Sequence, residues 1–124
     1  MSTVDRARGP HGLIGLMRLG NCVMGALGAL LAAVICAGPE SLTDYPLQIS
    51  LSMVIVAVFT GAGNALNDYF DRDVDKVAHP ERPIPSGTVT PKGALTLSVS
   101  MFSLTVVLSL FVNMWSSLIV VTSV

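Results

Sequence analysis

Hydrophobic positions along this chain fall into three long blocks separated by short polar segments. Apolar residues run from about Leu13 to Ala37, resume at Leu47 and hold to about Gly61, and return from Pro91 to about Phe111. No charged residue occurs from Leu19 to Pro39, from Tyr45 to Asn67 or from Gly93 to Val124. Each of these stretches reaches the roughly 20 residues that a helix needs to cross a bilayer. The pattern predicts helices over about 13–37, 47–75 and 91–112. Gly38 to Pro46, with two prolines and two acids, reads as a turn between the first two helices. Pro80, Pro83 and Pro85 force a loop before the third, and Pro91 suits a first helical turn. Asn113 to Ser117 predicts a second short turn. Residues 118–124 are the apolar start of a fourth helix, because so short a segment rises only about 10 Å.

The first block is too long for a secretory signal, whose apolar core is about 7–15 residues, and it carries Arg18 and Asn21 near its start. It is expected to remain as a helix. Its Gly20, Gly25, Gly28, Ala29 and Ala32 are small enough to let a neighbouring helix come close, as membrane helices do. Residues 1–12 are polar, contain Gly and Pro, and read as an arm outside the membrane.

Composition agrees with the pattern: 52% of the residues are hydrophobic and 12% charged, about half the charged share of an ordinary soluble domain. A net charge of −1 gives no basic excess for nucleic acid. Arg6 and Arg8 precede the first helix and Arg72, Lys76, Arg82 and Lys92 lie between the second and third, whereas the first turn has no Lys or Arg. This asymmetry places the amino terminus and the 72–92 region on the cytoplasmic side of a cell membrane crossed several times. Cys22 and Cys36 would lie about 21 Å apart on one helix, too far to pair, and read as apolar fillers. There is no internal repeat.

The candidate chemistry lies where the second helix turns polar. Taking Asn64 as zero and 100° per residue, Asn64, Asn67, Asp68, Asp71 and Asp75 fall at about 0°, 300°, 40°, 340° and 20°, one face roughly 100° wide. Asp73 lies opposite, and Arg72 and Lys76 flank the stripe. Carboxylates at such spacing repel one another and call for a partner. A hard divalent cation such as Mg²⁺, which takes one or two carboxylates and completes its shell with water and phosphate oxygens, is one. Lys76, Arg82 and Arg72 are then cations for phosphate oxygens. The plain alternative is a solvated helix end. A calcium loop is excluded, since the twelve-residue pattern with central Gly and final Glu is absent. His11 and His79 read as solvated loop residues.

Asn67-Asp68-Tyr69-Phe70-Asp71-Arg72-Asp73-Val74-Asp75, followed by Arg82-Pro83-Ile84-Pro85-Ser86-Gly87, resembles the first aspartate-rich motif and the following loop of the UbiA superfamily of membrane prenyltransferases. The resemblance implies an all-α, multi-span helix bundle, of which this chain holds about three full helices and the start of a fourth out of nine. It also implies that Asn67, Asp68, Asp71 and Asp75 hold Mg²⁺ against a prenyl diphosphate and that Lys76 and Arg82, with Arg72 beside them, stabilise the departing diphosphate. Asp71, Asp75 and Arg82 become the catalytic candidates. The Arg18-x-x-Asn21 pair resembles the acceptor-side motif, to which Asn64 adds an amide. A snorkelling arginine is the alternative for Arg18.

Arg18-Leu19-Gly20-Asn21-Cys22-Val23-Met24, with NDYFD and HPERPIPSG, looks most like the archaeal digeranylgeranylglyceryl phosphate synthase branch. That branch transfers a geranylgeranyl group from its diphosphate to geranylgeranylglyceryl phosphate in ether-lipid synthesis. The rival is the chlorophyll synthase and aromatic-acceptor branch. Full members carry a second aspartate-rich motif near the sixth helix, and here no Asp or Glu follows Glu81. The expectation is therefore an amino-terminal part of a prenyltransferase domain, inactive alone. A small non-catalytic membrane bundle is the reading from another class. A CDP-alcohol phosphotransferase is disfavoured because its DGxxAR opening is missing.

Overall fold

A computed structural model of the protein describes residues 10–124. The expected arm over 1–12 therefore lies largely outside the described residues, as do Arg6 and Arg8. The described residues form an all-helical membrane-type bundle: α1 (Pro10–Met17), α2 (Leu19–Ala37), α3 (Ser41–Asp44), α4 (Pro46–Phe70), α5 (Arg72–Ala78), α6 (Pro91–Ser109) and α7 (Met114–Ser123). Three of them, α2, α4 and α6, are long and apolar enough to cross a membrane.

Helix α4 is central, with α2 and α6 packed on either side. A Cβ on Gly25 would meet Thr60 and Val56, while one on Gly61 would meet Cys22 and Met101. Residues early in α2 thus face residues late in α4, so the two run antiparallel. The pairs Phe59–Phe102, stacked edge-to-face with centroids 5.1 Å apart, and Ser98–Ala62 make α4 and α6 antiparallel as well. The buried Ser98 hydroxyl donates to the Ala62 carbonyl at 2.9 Å, an interhelical bond of the kind that helps join membrane helices. The outward ridge of α2, Leu19, Val23, Leu27, Leu31 and Ile35, is exposed.

Several boundaries differ from the sequence expectation. Pro10 to Gly12, expected in the arm, begin α1. The single helix expected over 13–37 is broken at Arg18, whose backbone is left-handed at φ 51°, ψ 70°. The helix expected over 47–75 is kinked at Asp71, at φ −81° and ψ 0°. Hydrogen bonds Asp71 N–H to Asn67 O and Asp75 N–H to Asp71 O, both 2.8 Å, carry the helix across this kink. Arg72 donates from Nη1 to the Tyr69 carbonyl at 2.7 Å, engaging an acceptor that the next turn would otherwise use. The first turn contains the short helix α3. Helix α6 stops at Ser109 rather than near 112, because Leu110, Phe111 and Val112 N–H groups bond three residues back in a tightened terminal turn. The fourth helix consequently starts at Met114, so the turn lies at 110–113 and not at Asn113 to Ser117.

The segment between α5 and α6 is anchored rather than loose. Ile84 and Val89 bury themselves in one cluster with Leu16 of α1, Ala65 of α4 and Ala94 of α6, against which Tyr69 and Leu97 pack. Gly87, at φ 76°, supplies the left-handed residue that turns the chain back, and Val89 N–H bonds Pro83 O at 2.9 Å. Thr90 caps α6 by accepting from Gly93 N–H at 3.0 Å. This fastening holds Arg82 against the carboxylate face.

Candidate functional site

The site forms at the end of the bundle where α1, the close of α4, α5 and the 79–90 loop meet. The helical period of α4 and α5 puts Asp68 and Asp75 on the inner face, and both are buried, at 2% and 3% exposure. Buried carboxylates need partners, and two arginines from distant parts of the chain provide them. Arg18 donates from Nη2 to Asp68 Oδ1 at 2.6 Å. Arg82 donates from Nη1 to Asp75 Oδ1 and Oδ2 at 2.7 and 2.6 Å, and the same nitrogen lies 3.9 Å from Asp68 Oδ1. The bond to Asp75 and the nearby Asp68 and Asp71 charges push the Arg82 guanidinium above its ordinary value despite desolvation, and like any arginine it is cationic at physiological pH.

Asn64, one turn before Asp68, reaches the same break in the first helix from another angle. Its Nδ2 donates to the Met17 carbonyl at 2.8 Å, and the Cys22 thiol lies 3.2 Å from the same oxygen. In an unbroken helix that carbonyl would accept from Asn21 N–H, which instead bonds the Arg18 carbonyl at 2.8 Å. Among the described residues Arg18 is the only non-glycine with positive φ. A left-handed residue costs about 1–2 kcal/mol, comparable to the net worth of one or two hydrogen bonds, about 1 kcal/mol each. The Asn64 bond and the Arg18–Asp68 pair together can offset that cost.

Other candidates are arranged differently from the sequence expectation. Asn67 and Asp71 are exposed on the open side of the site, and Asp71 makes no ion pair among the described residues. Asn21 is exposed in the first turn of α2. Lys76 pairs with Asp73 at 2.7 Å on the far, exposed side, and holds the Asp73 carboxyl below its ordinary value. Arg72 lies over the Tyr69 ring, 4.8 Å from its centroid, and on the Tyr69 carbonyl. Neither flanking cation points into the carboxylate cluster, because each finds a partner within its own helical turn. His79 sits 3.4 Å from Glu81, both exposed, and His11 is exposed. The clamp of Asn64 on the Met17 backbone and the burial of Ile84 and Val89 are not legible in the helical wheel. Only the four-residue spacing of Asn64 and Asp68 hints at the first.

The residues gathered here carry carboxylate and amide oxygens, the donor types that a hard cation takes. Among the described residues no group of three or more His, Cys, Asp or Glu side chains is placed to hold a metal ion, Asp68 and Asp75 being engaged by Arg18 and Arg82.

A sequence profile described as the UbiA prenyltransferase family matches residues 21–124. The chain is 44% identical over 100 residues to a digeranylgeranylglyceryl phosphate synthase of Natronomonas pharaonis, covering 81% of this chain and 35% of that protein. Proteins of the same name from Methanococcoides burtonii and Thermococcus kodakarensis are 44% and 36% identical, over 79% and 89% of this chain and 37% and 39% of theirs. A solved structure, described as giving insights into the biosynthesis of digeranylgeranylglyceryl phosphate synthase in membranes, superposes with a TM-score of 0.81 at 29% identity. It covers 90% of this chain and 39% of that one. The chain thus spans little more than a third of the length of the curated relatives it matches.

Proposed function

The chain belongs to the UbiA prenyltransferase family, and we propose that its polar end is the donor-binding wall of an enzyme transferring a prenyl group from its diphosphate to a lipid acceptor. The observation that carries this reading is the pair of buried carboxylates, Asp68 and Asp75, held by Arg18 and Arg82 at one end of a membrane-type bundle. Ionisable groups at such a position are costly and functional by default. Relatives named digeranylgeranylglyceryl phosphate synthase support a geranylgeranyl donor and geranylgeranylglyceryl phosphate as acceptor, in archaeal ether-lipid synthesis.

In that transfer the allylic C–O bond of the donor breaks and its electron pair leaves with the diphosphate. A hydroxyl oxygen of the acceptor forms the new ether bond and gives up its proton to the departing diphosphate or to water. Arg82 stabilises the charge that develops on the leaving oxygens, since it is fixed before the reaction and needs no reorganisation. Lys76 and Arg72 lie at the rim and act on the diphosphate only after leaving Asp73 and Tyr69. Arg18, with Asn21, faces the acceptor. The apolar faces of α2 and α4 sheath the prenyl chain and exclude water from the allylic cation. Asn67, Asp68, Asp71 and Asp75 would hold Mg²⁺, which when bound supplies positive charge against the diphosphate oxygens. The basic residues around the site favour its cytoplasmic side.

The test is binding. The chain in lipid nanodiscs should take up geranylgeranyl diphosphate in a Mg²⁺-dependent way, and Arg82→Ala should weaken this about a hundredfold. Undiminished binding in that variant would sink the assignment.

A further inference from the structure

We propose that Asn64 is a positioning residue: its amide holds the Met17 carbonyl out of helical register and so keeps Arg18 in the left-handed conformation that lays its guanidinium on Asp68. Asn64 and Asp68 stand one turn apart on α4 and grip the same break from two sides. Asn64 holds its backbone at 2.8 Å and Asp68 its side chain at 2.6 Å. Without the amide, the Asn21 N–H, now 2.8 Å from the Arg18 carbonyl, is the helical partner of the Met17 carbonyl. The break then heals into one helix, Arg18 returns to negative φ, and its side chain leaves the direction of Asp68. The Cys22 thiol, a weak donor, does not replace the amide.

This role differs from that of an acceptor ligand, because the donating nitrogen of Asn64 is committed to backbone. It rests on the proposed function only in taking Arg18 as part of the substrate site. Asp at position 64 has the same size but, ionised, cannot donate to a carbonyl, so it separates the two roles.

The experiment compares wild type, Asn64→Asp, Arg18→Gly and the double variant in nanodiscs, with two readouts. Backbone carbon NMR shifts of residue 18 should move from left-handed to right-handed helical values in Asn64→Asp. Affinity for geranylgeranylglyceryl phosphate should fall about tenfold in each single variant, with no further loss when they are combined. A residue 18 that stays left-handed in Asn64→Asp, or losses that add in the double variant, overturns the positioning role. An Arg18→Gly chain that binds the acceptor normally overturns the acceptor assignment instead, and the NMR shifts still decide the clamp.

Discussion

Arg82 reaches back to Asp75 and donates through a single nitrogen, Nη1, to both carboxylate oxygens at 2.7 and 2.6 Å. One guanidinium thereby ties the 79–90 loop to α5, and through its 3.9 Å approach to Asp68 also to the end of α4.

Removing one member of this pair should therefore cost more than removing both. Arg82→Gln leaves Asp75 buried without its counter-ion and is expected to lower stability by about 3 kcal/mol. Arg82→Leu combined with Asp75→Leu should regain most of that while donor binding stays lost. Thermal melts in detergent check it, and a single variant that melts like wild type would show that the pair does not hold the loop.

Asp68 and Asp71 should separate stability from metal dependence. Asp71 is exposed and has no ion pair, so Asp71→Asn should change stability by less than about 0.5 kcal/mol yet remove the Mg²⁺ dependence of diphosphate binding. Asp68→Asn, which strips Arg18 of its partner, should lower the melting temperature even without metal. Unaltered Mg²⁺ dependence in Asp71→Asn defeats the metal assignment.

Lys76 should matter less than Arg82. Lys76→Ala releases Asp73, whose carboxyl then titrates closer to its ordinary value of 3.8, visible in a carboxyl carbon NMR titration. A carboxyl depressed by folding adds stability that is present above its unfolded pKa and disappears as pH falls through the folded one. The pair is exposed, so the melting temperature at neutral pH should hardly move. Equal losses of donor binding in Lys76→Ala and Arg82→Ala would instead mean that Lys76 swings into the site when the diphosphate binds.

Two glycines should respond differently to alanine. At Gly25 a Cβ would lie 3.0 Å from Thr60 Oγ1 and 3.1 Å from Val56 Cγ1, both on β-branched side chains with little rotamer freedom. At Gly61 the crowding atoms are the Met101 and Met17 Cε at 3.0 and 3.2 Å and the Cys22 Sγ at 3.3 Å, and the methionine ends can swing aside. Gly61→Ala should be nearly neutral, helped by about 1 kcal/mol of helix propensity. Gly25→Ala should destabilise the α2–α4 contact by about 1–3 kcal/mol. Equal melting temperatures would contradict the difference.

How much of this was legible beforehand depended on the range of the interaction. Three membrane-length helices and the inward placing of Asp68 and Asp75 follow from local hydrophobicity and the helical period, both properties of neighbouring residues, whereas Asp71, on the same projected face, is exposed. The same local reasoning did not foresee the near partners of Lys76 and Arg72. Both cations lie near the stripe in projection, but Asp73 and Tyr69, three residues away, engage them first.

The sequence by itself determined an all-helical membrane protein with a carboxylate face and a UbiA-type motif, because about 20 apolar residues in a row admit few structures other than a spanning helix. Only the tertiary structure decided which arginine meets which carboxylate and where the first helix breaks. Arg18 and Asp68 are 50 residues apart, and Asn64 and Met17 are 47. A left-handed arginine is unfavourable by about 1–2 kcal/mol on its own, so no local signal announces it. It exists because α4 brings an amide and a buried carboxylate to the same turn.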